Sequence, residues 1–135
     1  QEDKMDRLSA ARERFKQDLF ATEQTGVVLE AVDKDYARCS MRVEARHMNA
    51  NGVVMGGALF TLADLAFAAA ANEQQPLTVS LTSQITYLNP GQGKVMYAEA
   101  RAVKSGKRNC TFIIDVTDEK GVQVAVVIST GARIG

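Results

Sequence analysis

The feature that most constrains the fold is an almost unbroken apolar stretch, ALFTLADLAFAAAA, at residues 58–71. It is too short to span a bilayer and it contains Asp64. We therefore predict a helix that starts at Gly56 or Gly57, ends near Asn72 and, with apolar residues on all sides, is largely enclosed by protein. Burying an ionised carboxylate costs on the order of several kcal/mol unless the group is paired or hydrogen-bonded. Asp64 therefore needs a specific explanation.

Strand-forming runs flank this helix on both sides. Two runs precede it and four follow it, separated by turn sequences such as Asn89-Pro90-Gly91. Links this short favour antiparallel hairpins. The runs cover residues 27–32, 36–43, 77–88, 94–104, 108–117 and 122–133.

The order of elements predicts the architecture. Apolar residues at helical spacing predict a further, amphipathic helix over residues 5–20. A helix, two strands, a long apolar helix and four strands indicate an α+β fold, in which one curved antiparallel sheet wraps around the long helix. We expect residues 1–135 to form a single domain, with residues 1–24 as an N-terminal helical extension. An open sheet edge and an incompletely covered helix favour a homodimer or homotetramer.

Composition excludes several classes of function. The chain has 16 basic and 16 acidic residues. It therefore lacks the excess of positive charge that would indicate a nucleic-acid partner. No apolar segment indicates a membrane span or a secretory signal at residues 1–15, and we expect a cytoplasmic protein with Cys39 and Cys110 reduced. His47 is the single histidine, and there is no Gly-x-Ser-x-Gly motif for a serine hydrolase. We expect no metal and no cofactor.

Two motifs carry a resemblance to a known family. Residues 49–64 read NANGVVMGGALFTLAD, and residues 79–90 read VSLTSQITYLNP. Together they resemble the hotdog-fold acyl-CoA thioesterases, in particular the phenylacetic-acid-degradation (PaaI) type. That family pattern has an Asn, a His-Gly-Gly whose His comes six residues later, and an acidic residue eight after the first Gly. Asn49, Gly56 and Asp64 keep this register.

The resemblance extends over about residues 25–135 and implies hydrolysis of an aryl or medium-chain acyl-CoA to the free acid and coenzyme A. It implies that the Gly56 N–H stabilises the oxyanion, since free N–H groups point out of a helix N-terminus. It also implies that Asp64 acts as general base or as nucleophile, on a substrate whose carbonyl is held by Gly56 of the partner subunit. Asn49 would hydrogen-bond the thioester or orient the loop. Ser80 would hold the attacking water, or is simply a small polar residue on a strand.

These residues also have structural interpretations. The Gly56-Gly57 pair could only turn the chain tightly into the helix. Asp64 could be a surface carboxylate, or one hydrogen-bonded to Thr61. Asn49 could shape an Asx turn in the loop that follows it. The register of the whole motif favours catalysis.

Substrate-binding residues follow from the same resemblance. Lys104, Lys107 and Arg108 flank a predicted hairpin turn, where they could bind coenzyme A phosphates or form a solvated tip. Met55 and Gly57 would contact substrate, but Met55 stands where the family usually has His. That difference supports a second hypothesis, a non-catalytic acyl-CoA or lipid binder. A third hypothesis, a purely structural oligomerising domain, gives no reason for a carboxylate in an apolar helix.

Overall fold

The computed structural model describes residues 3–135, and within them six strands form one antiparallel sheet that packs against a long helix. The strand order is β1-β2-β4-β5-β6-β3. This confirms the predicted α+β architecture. The elements are α1 (Lys4–Phe15), a π-helical turn (Phe20–Gln24), β1 (Val27–Asp33), β2 (Tyr36–Arg42), a 3-10 turn (Ala45–His47), α2 (Gly56–Asn72), β3 (Thr78–Tyr87), β4 (Val95–Ser105), β5 (Asn109–Asp118) and β6 (Gln123–Arg133).

The core lies between α2 and the sheet. Leu62, Ala63 and Ala66 of α2 are fully buried, and the many alanines of this helix let the strands approach closely. The ring of Phe67 packs edge-on against Phe112 of β5, with ring centroids 5.5 Å apart. Alternate residues of β4 and β5 point into this core, as the period-two pattern of their sequences predicts.

Most of α2 is enclosed by protein, as predicted, since ten of its 17 residues are buried, but one face is open. Gly57 and Asp64 are exposed, and Thr61 and Ala68 are half-buried. Spacings of three and four residues place these positions on one side of the helix. The sheet covers the opposite side of the helix. The segment between α1 and β1 borders the open face.

The N-terminal helix is shorter than the predicted 5–20. Helix α1 ends at Phe15, whose side chain is buried, and the chain then turns before the π-helical turn begins at Phe20. Leu19 and Phe20 keep helical spacing with Phe15 in sequence, but they project from this second turn and stay exposed. Residues 1 and 2 of the predicted N-terminal extension lie outside the described residues.

The two edges of the sheet differ. The β1 edge is met by α1, where Arg12 Nε donates a hydrogen bond to the carbonyl oxygen of Leu29 at 2.7 Å. Within residues 3–135, β3 pairs with β6 alone and its other edge is open. Val79, Leu81 and Tyr87 are exposed along β3. Homo-oligomer formation stays a prediction, and the open edge gives it a location.

Both thiols are buried and free. Burial, with a smaller contribution from the negative charge of Glu30, raises the pKa of the Cys39 thiol to about 12. Cys39 is therefore protonated at neutral pH and is not a nucleophile. Among residues 3–135, no helix is long and apolar enough to cross a membrane.

Candidate active site

The N-terminus of α2 presents two free hydrogen-bond donors. Met55 precedes the helix with extended backbone (φ −62°, ψ 139°) and provides no side-chain cap. The N–H of Ala58 already donates to the Met55 carbonyl oxygen at 3.0 Å. The N–H groups of Gly56 and Gly57 have no acceptor within residues 3–135. These donors, at the positive end of the helix dipole, can hold an oxygen atom on which negative charge develops.

Tyr87 supplies a reason for glycine at position 56 that the sequence does not reveal. A Cβ atom on Gly56 would lie 2.6 Å from both Cζ and the hydroxyl oxygen of Tyr87. The Tyr87 side chain is half exposed, and its hydroxyl has no hydrogen-bond partner in the described part of the chain. The packing of the Tyr87 ring therefore requires glycine at position 56. The absence of a Cβ atom there would also let a substrate approach the backbone.

Asp64 lies on the open face of α2 and borders a cavity of about 390 Å³ between this helix and the segment that follows α1. Its carboxylate makes no hydrogen bond or ion pair with any residue from 3 to 135. Thr61 does not hold it, because Thr61 Oγ1 donates to the Gly57 carbonyl oxygen at 2.9 Å. Desolvation by the surrounding side chains, and secondly the negative charge of Asp18, raise the pKa of the Asp64 carboxyl.

A second cavity, of about 420 Å³, adjoins the first and reaches Met55 and Gly57. Phe20 and Thr61 border both cavities, so the two form one groove along α2. We call it the α2 groove. Its lining comprises Asp18, Leu19, Phe20, Ala21, Gln24, Thr25, Arg46, His47, Met55, Gly57, Ala58, Phe60, Thr61, Asp64, Leu65 and Ala68.

Comparison with known proteins decides the family. The model of the Thioesterase superfamily matches residues 51–125. A putative esterase from Archaeoglobus fulgidus is 32% identical over 127 residues, which cover 90% of this chain and 82% of that protein. The chain belongs to the thioesterase superfamily. The predicted class of activity, thioester hydrolysis, is thereby confirmed.

The PaaI resemblance of this thioesterase is confirmed as well. Acyl-coenzyme A thioesterase PaaI from Escherichia coli is 32% identical over 111 residues, which cover 82% of this chain and 79% of that protein. The solved structure of the E. coli PaaI protein matches with a TM-score of 0.82 and 28% identity, over 95% of this chain and 96% of that one. The match confirms the predicted hotdog fold.

His47 has a structural role in this thioesterase. Its ring is buried, Nδ1 accepts a hydrogen bond from the Glu44 N–H at 2.9 Å, and Nε2 lies 2.7 Å from the carbonyl oxygen of Thr25. Since Nδ1 accepts, the Nε2–H is the donor to the Thr25 carbonyl oxygen. Within residues 3–135, no group of three or more His, Cys, Asp or Glu side chains could hold a metal ion.

Asn49 and Ser80 lie in different settings. Asn49 Oδ1 accepts hydrogen bonds from the N–H groups of Asn51 at 2.9 Å and Val53 at 3.2 Å. This geometry supports the Asx-turn interpretation, because the side-chain oxygen is used within its own loop. Ser80 is exposed on β3, opposite Gly131 of β6.

The predicted cations lie at the other end of α2. The basic turn comprises Lys104, Lys107 and Arg108, all of them exposed. Arg133 connects this region to the helix C-terminus, because it donates to the Ala71 carbonyl oxygen and to Ser105 Oγ, both at 2.7 Å. A helix of 17 residues is about 25 Å long. One chain therefore does not bring the basic turn to Gly56.

Proposed function

We propose that this thioesterase hydrolyses an aryl or medium-chain acyl-CoA to the free acid and coenzyme A. The observation that carries the proposal is an unpaired carboxylate, Asp64, in a largely apolar groove that also reaches Gly57 at the N-terminus of α2, next to the free N–H group of Gly56. The name of the E. coli relative, acyl-coenzyme A thioesterase, supports coenzyme A as the carrier.

The Gly56 N–H donates a hydrogen bond to the thioester carbonyl oxygen and stabilises the oxyanion. Asp64 removes a proton from a water molecule, whose oxygen attacks the carbonyl carbon. The tetrahedral intermediate then collapses, the C–S bond breaks, and coenzyme A leaves as a thiolate. In the alternative, the Asp64 carboxylate attacks the carbonyl carbon directly and displaces coenzyme A as a thiolate, and water then hydrolyses the resulting anhydride to the free acid and Asp64.

Helix geometry favours a site shared between two subunits. Gly56 and Asp64 are eight residues apart on one helix, a rise of about 12 Å. An oxyanion donor and a general base must both act within about 3 Å of the same carbonyl group. Asp64 therefore acts on a thioester whose oxygen is held by Gly56 of the partner subunit, in a homodimer or in a tetramer of two dimers.

The other predicted residues are assigned on the same basis. Met55 and Gly57 border the N-terminal end of the α2 groove and contact substrate there. Asn49 orients the loop before α2, and Ser80 orients the attacking water in the assembled oligomer. The basic turn binds coenzyme A phosphates, for which exposed cations are suited.

Met55 supports a second candidate, a non-catalytic acyl-CoA or lipid binder. Its side chain is exposed beside the free N–H groups of α2, and a thioether cannot donate a hydrogen bond to the thioester. A binder would keep the groove without turnover.

Release of free thiol from a panel of acyl-CoAs tests the proposal. Asp64→Asn keeps the shape of the side chain and removes its charge, and we expect it to lower kcat/KM by about 100-fold or more. Glu13→Gln, the same change of group on the exposed surface of α1, is the control. Full activity in Asp64→Asn would contradict the assignment of Asp64. Binding without turnover in the natural protein would favour the second candidate.

A further inference from the structure

The end of the α2 groove nearest Asp64 has a composition that selects its occupant. Its apolar wall includes Leu19, Phe20, Phe60 and Leu65. Leu19 is 56% exposed and Phe20 is 66% exposed, although both are large apolar side chains. Both belong to the segment between α1 and β1, which borders the open face of α2. Apolar side chains facing an open cavity favour an apolar ligand.

The size of this cavity suits an acyl group. Its volume of about 390 Å³ lies within the range of about 300–1,000 Å³ that is usual for small-molecule sites. Asp64 at its border would act on the thioester carbon at that end. The acyl chain beyond this carbon can then extend along Phe20 and Phe60.

The charged residues that border this cavity limit which acyl groups can bind there. Within the described chain, the charged residues that border this cavity are Asp18 and Asp64, and both are acidic. Arg46 borders the adjoining cavity instead, and its Nε pairs with Glu44 at 2.7 Å. An acyl group with a terminal carboxylate would therefore meet two negative charges and no cation in apolar surroundings.

We propose that the acyl group lies in this cavity, on the subunit that contributes Asp64, and that Asp18 excludes acyl groups ending in a carboxylate. Phe20, which borders both cavities, limits the length of the acyl chain. The inference rests on the proposed function, and it assigns specificity to a segment that lies outside the family motif.

Two esters of equal length test the role of Asp18: octanoyl-CoA and the mono-CoA ester of octanedioic acid. We expect the natural protein to prefer octanoyl-CoA by about tenfold or more in kcat/KM, and Asp18→Asn to reduce that preference about tenfold. Glu13→Gln should leave the ratio as it is in the natural protein. An unchanged ratio in Asp18→Asn would overturn the role of Asp18.

Phe20→Ala tests the position of the acyl chain. Removing the ring enlarges the cavity, so we expect the optimum of a series from butanoyl- to hexadecanoyl-CoA to move to longer chains. Met5→Ala, which truncates an exposed apolar side chain of α1, is the control. The same chain-length profile in Phe20→Ala and the natural protein would mean that the acyl chain lies elsewhere.

Binding separates this inference from the proposed function. Dissociation constants for the same esters, measured by calorimetry in an Asp64→Asn background, do not depend on turnover. Suppose that binding shows the expected preferences but the natural protein releases no thiol. That result would contradict the proposed function and leave this inference standing. Suppose instead that the natural protein releases thiol, but neither Asp18→Asn nor Phe20→Ala changes its preference among the esters. That result would contradict this inference and leave the proposed function standing.

Discussion

At the residue scale, the environment of Asp64 makes the folded state less stable when this carboxyl is ionised. Desolvation, and secondly the negative charge of Asp18, hold the pKa of Asp64 above its ordinary value. The folded state thus retains this proton more strongly than the unfolded state does. The contribution of protonated Asp64 to the free energy of unfolding is complete below the pKa of Asp64 in the unfolded state. It is lost as the pH rises through the higher pKa of Asp64 in the folded state.

Asp64→Asn should therefore stabilise the protein while it lowers activity. We expect a higher melting temperature than that of the natural protein at pH 8, and a smaller difference at pH 4, where Asp64 is closer to being protonated. Thermal unfolding followed by circular dichroism at both pH values measures this. A lower melting temperature for Asp64→Asn at pH 8 would indicate that Asp64 serves the structure.

Gly56 allows its N–H to be removed without breaking the helix. Proline is favoured at the first helical position, and Met55 already has the extended backbone that a residue before proline requires. The packing of Tyr87 against Gly56 must first be relieved, so the variants are made in a Tyr87→Ala background.

In that background, Gly56→Ala retains the N–H and Gly56→Pro removes it. We expect the proline variant to be about 100- to 1000-fold slower than the alanine variant in thiol release, because an oxyanion donor has been lost. Circular dichroism checks that both variants fold. Equal rates would contradict a role for this N–H.

At the scale of elements, the sequence predicts the strands well and the N-terminal segment poorly. All six predicted strands, and the long helix, begin and end within one residue of the observed elements. Alternating burial and distinct turn residues mark these boundaries locally. The end of α1 at Phe15 has no such signal, because Leu19 and Phe20 continue the helical spacing while their surroundings place them in a second turn.

The site shows the same division. Asp64 stands out in sequence as a carboxylate in an apolar helix, and Gly56 is identified through the resemblance to the family motif. Asp18, Phe20 and Tyr87 contribute to the groove or to the helix N-terminus only through tertiary packing. No local pattern relates them to Asp64, so sequence reasoning does not identify them.

The turn between β5 and β6 depends on one carboxylate. Asp118 Oδ1 accepts hydrogen bonds from the N–H groups of Lys120 at 2.9 Å and Val122 at 3.0 Å, and Oδ2 accepts one from Gln92 at 3.1 Å. Desolvation alone would raise the pKa of Asp118. The bonds from Val122, Gln92 and Lys120, with the charge of Lys120, outweigh it and lower the pKa.

Asp118→Ala should lower the melting temperature, because three backbone N–H groups lose their acceptors. The stabilisation is present above the unfolded pKa of Asp118 and is lost as the pH falls through its lowered folded pKa. The deficit relative to the natural protein should therefore be larger at pH 7 than at pH 3 in thermal unfolding. A deficit that is independent of pH would contradict the role of the ionised carboxylate.

At the scale of the whole molecule, the open edge of β3 is where a second copy would pair. Leu81 is 62% exposed there, at an irregularity in the pairing of β3 with β6. Leu81→Glu would place like charges close together across a symmetric interface. We expect monomers in sedimentation velocity and a loss of thiol release.

Val103→Glu is the matched control for Leu81→Glu. Val103 is 67% exposed at a similar irregularity, between β4 and β5, away from the open edge. This variant should keep the oligomer. An active monomer of Leu81→Glu would show that one chain contains a complete site.

The most direct test of a shared active site is a mixed dimer of two inactive chains. One chain carries Asp64→Asn, and the other carries Gly56→Pro with Tyr87→Ala. Co-expression with two different tags isolates the mixed species. If Asp64 acts on a substrate held by Gly56 of the partner subunit, one of the two sites is intact, and thiol release should return to about half that of the natural dimer. Activity no higher than that of either parent dimer would contradict the shared site.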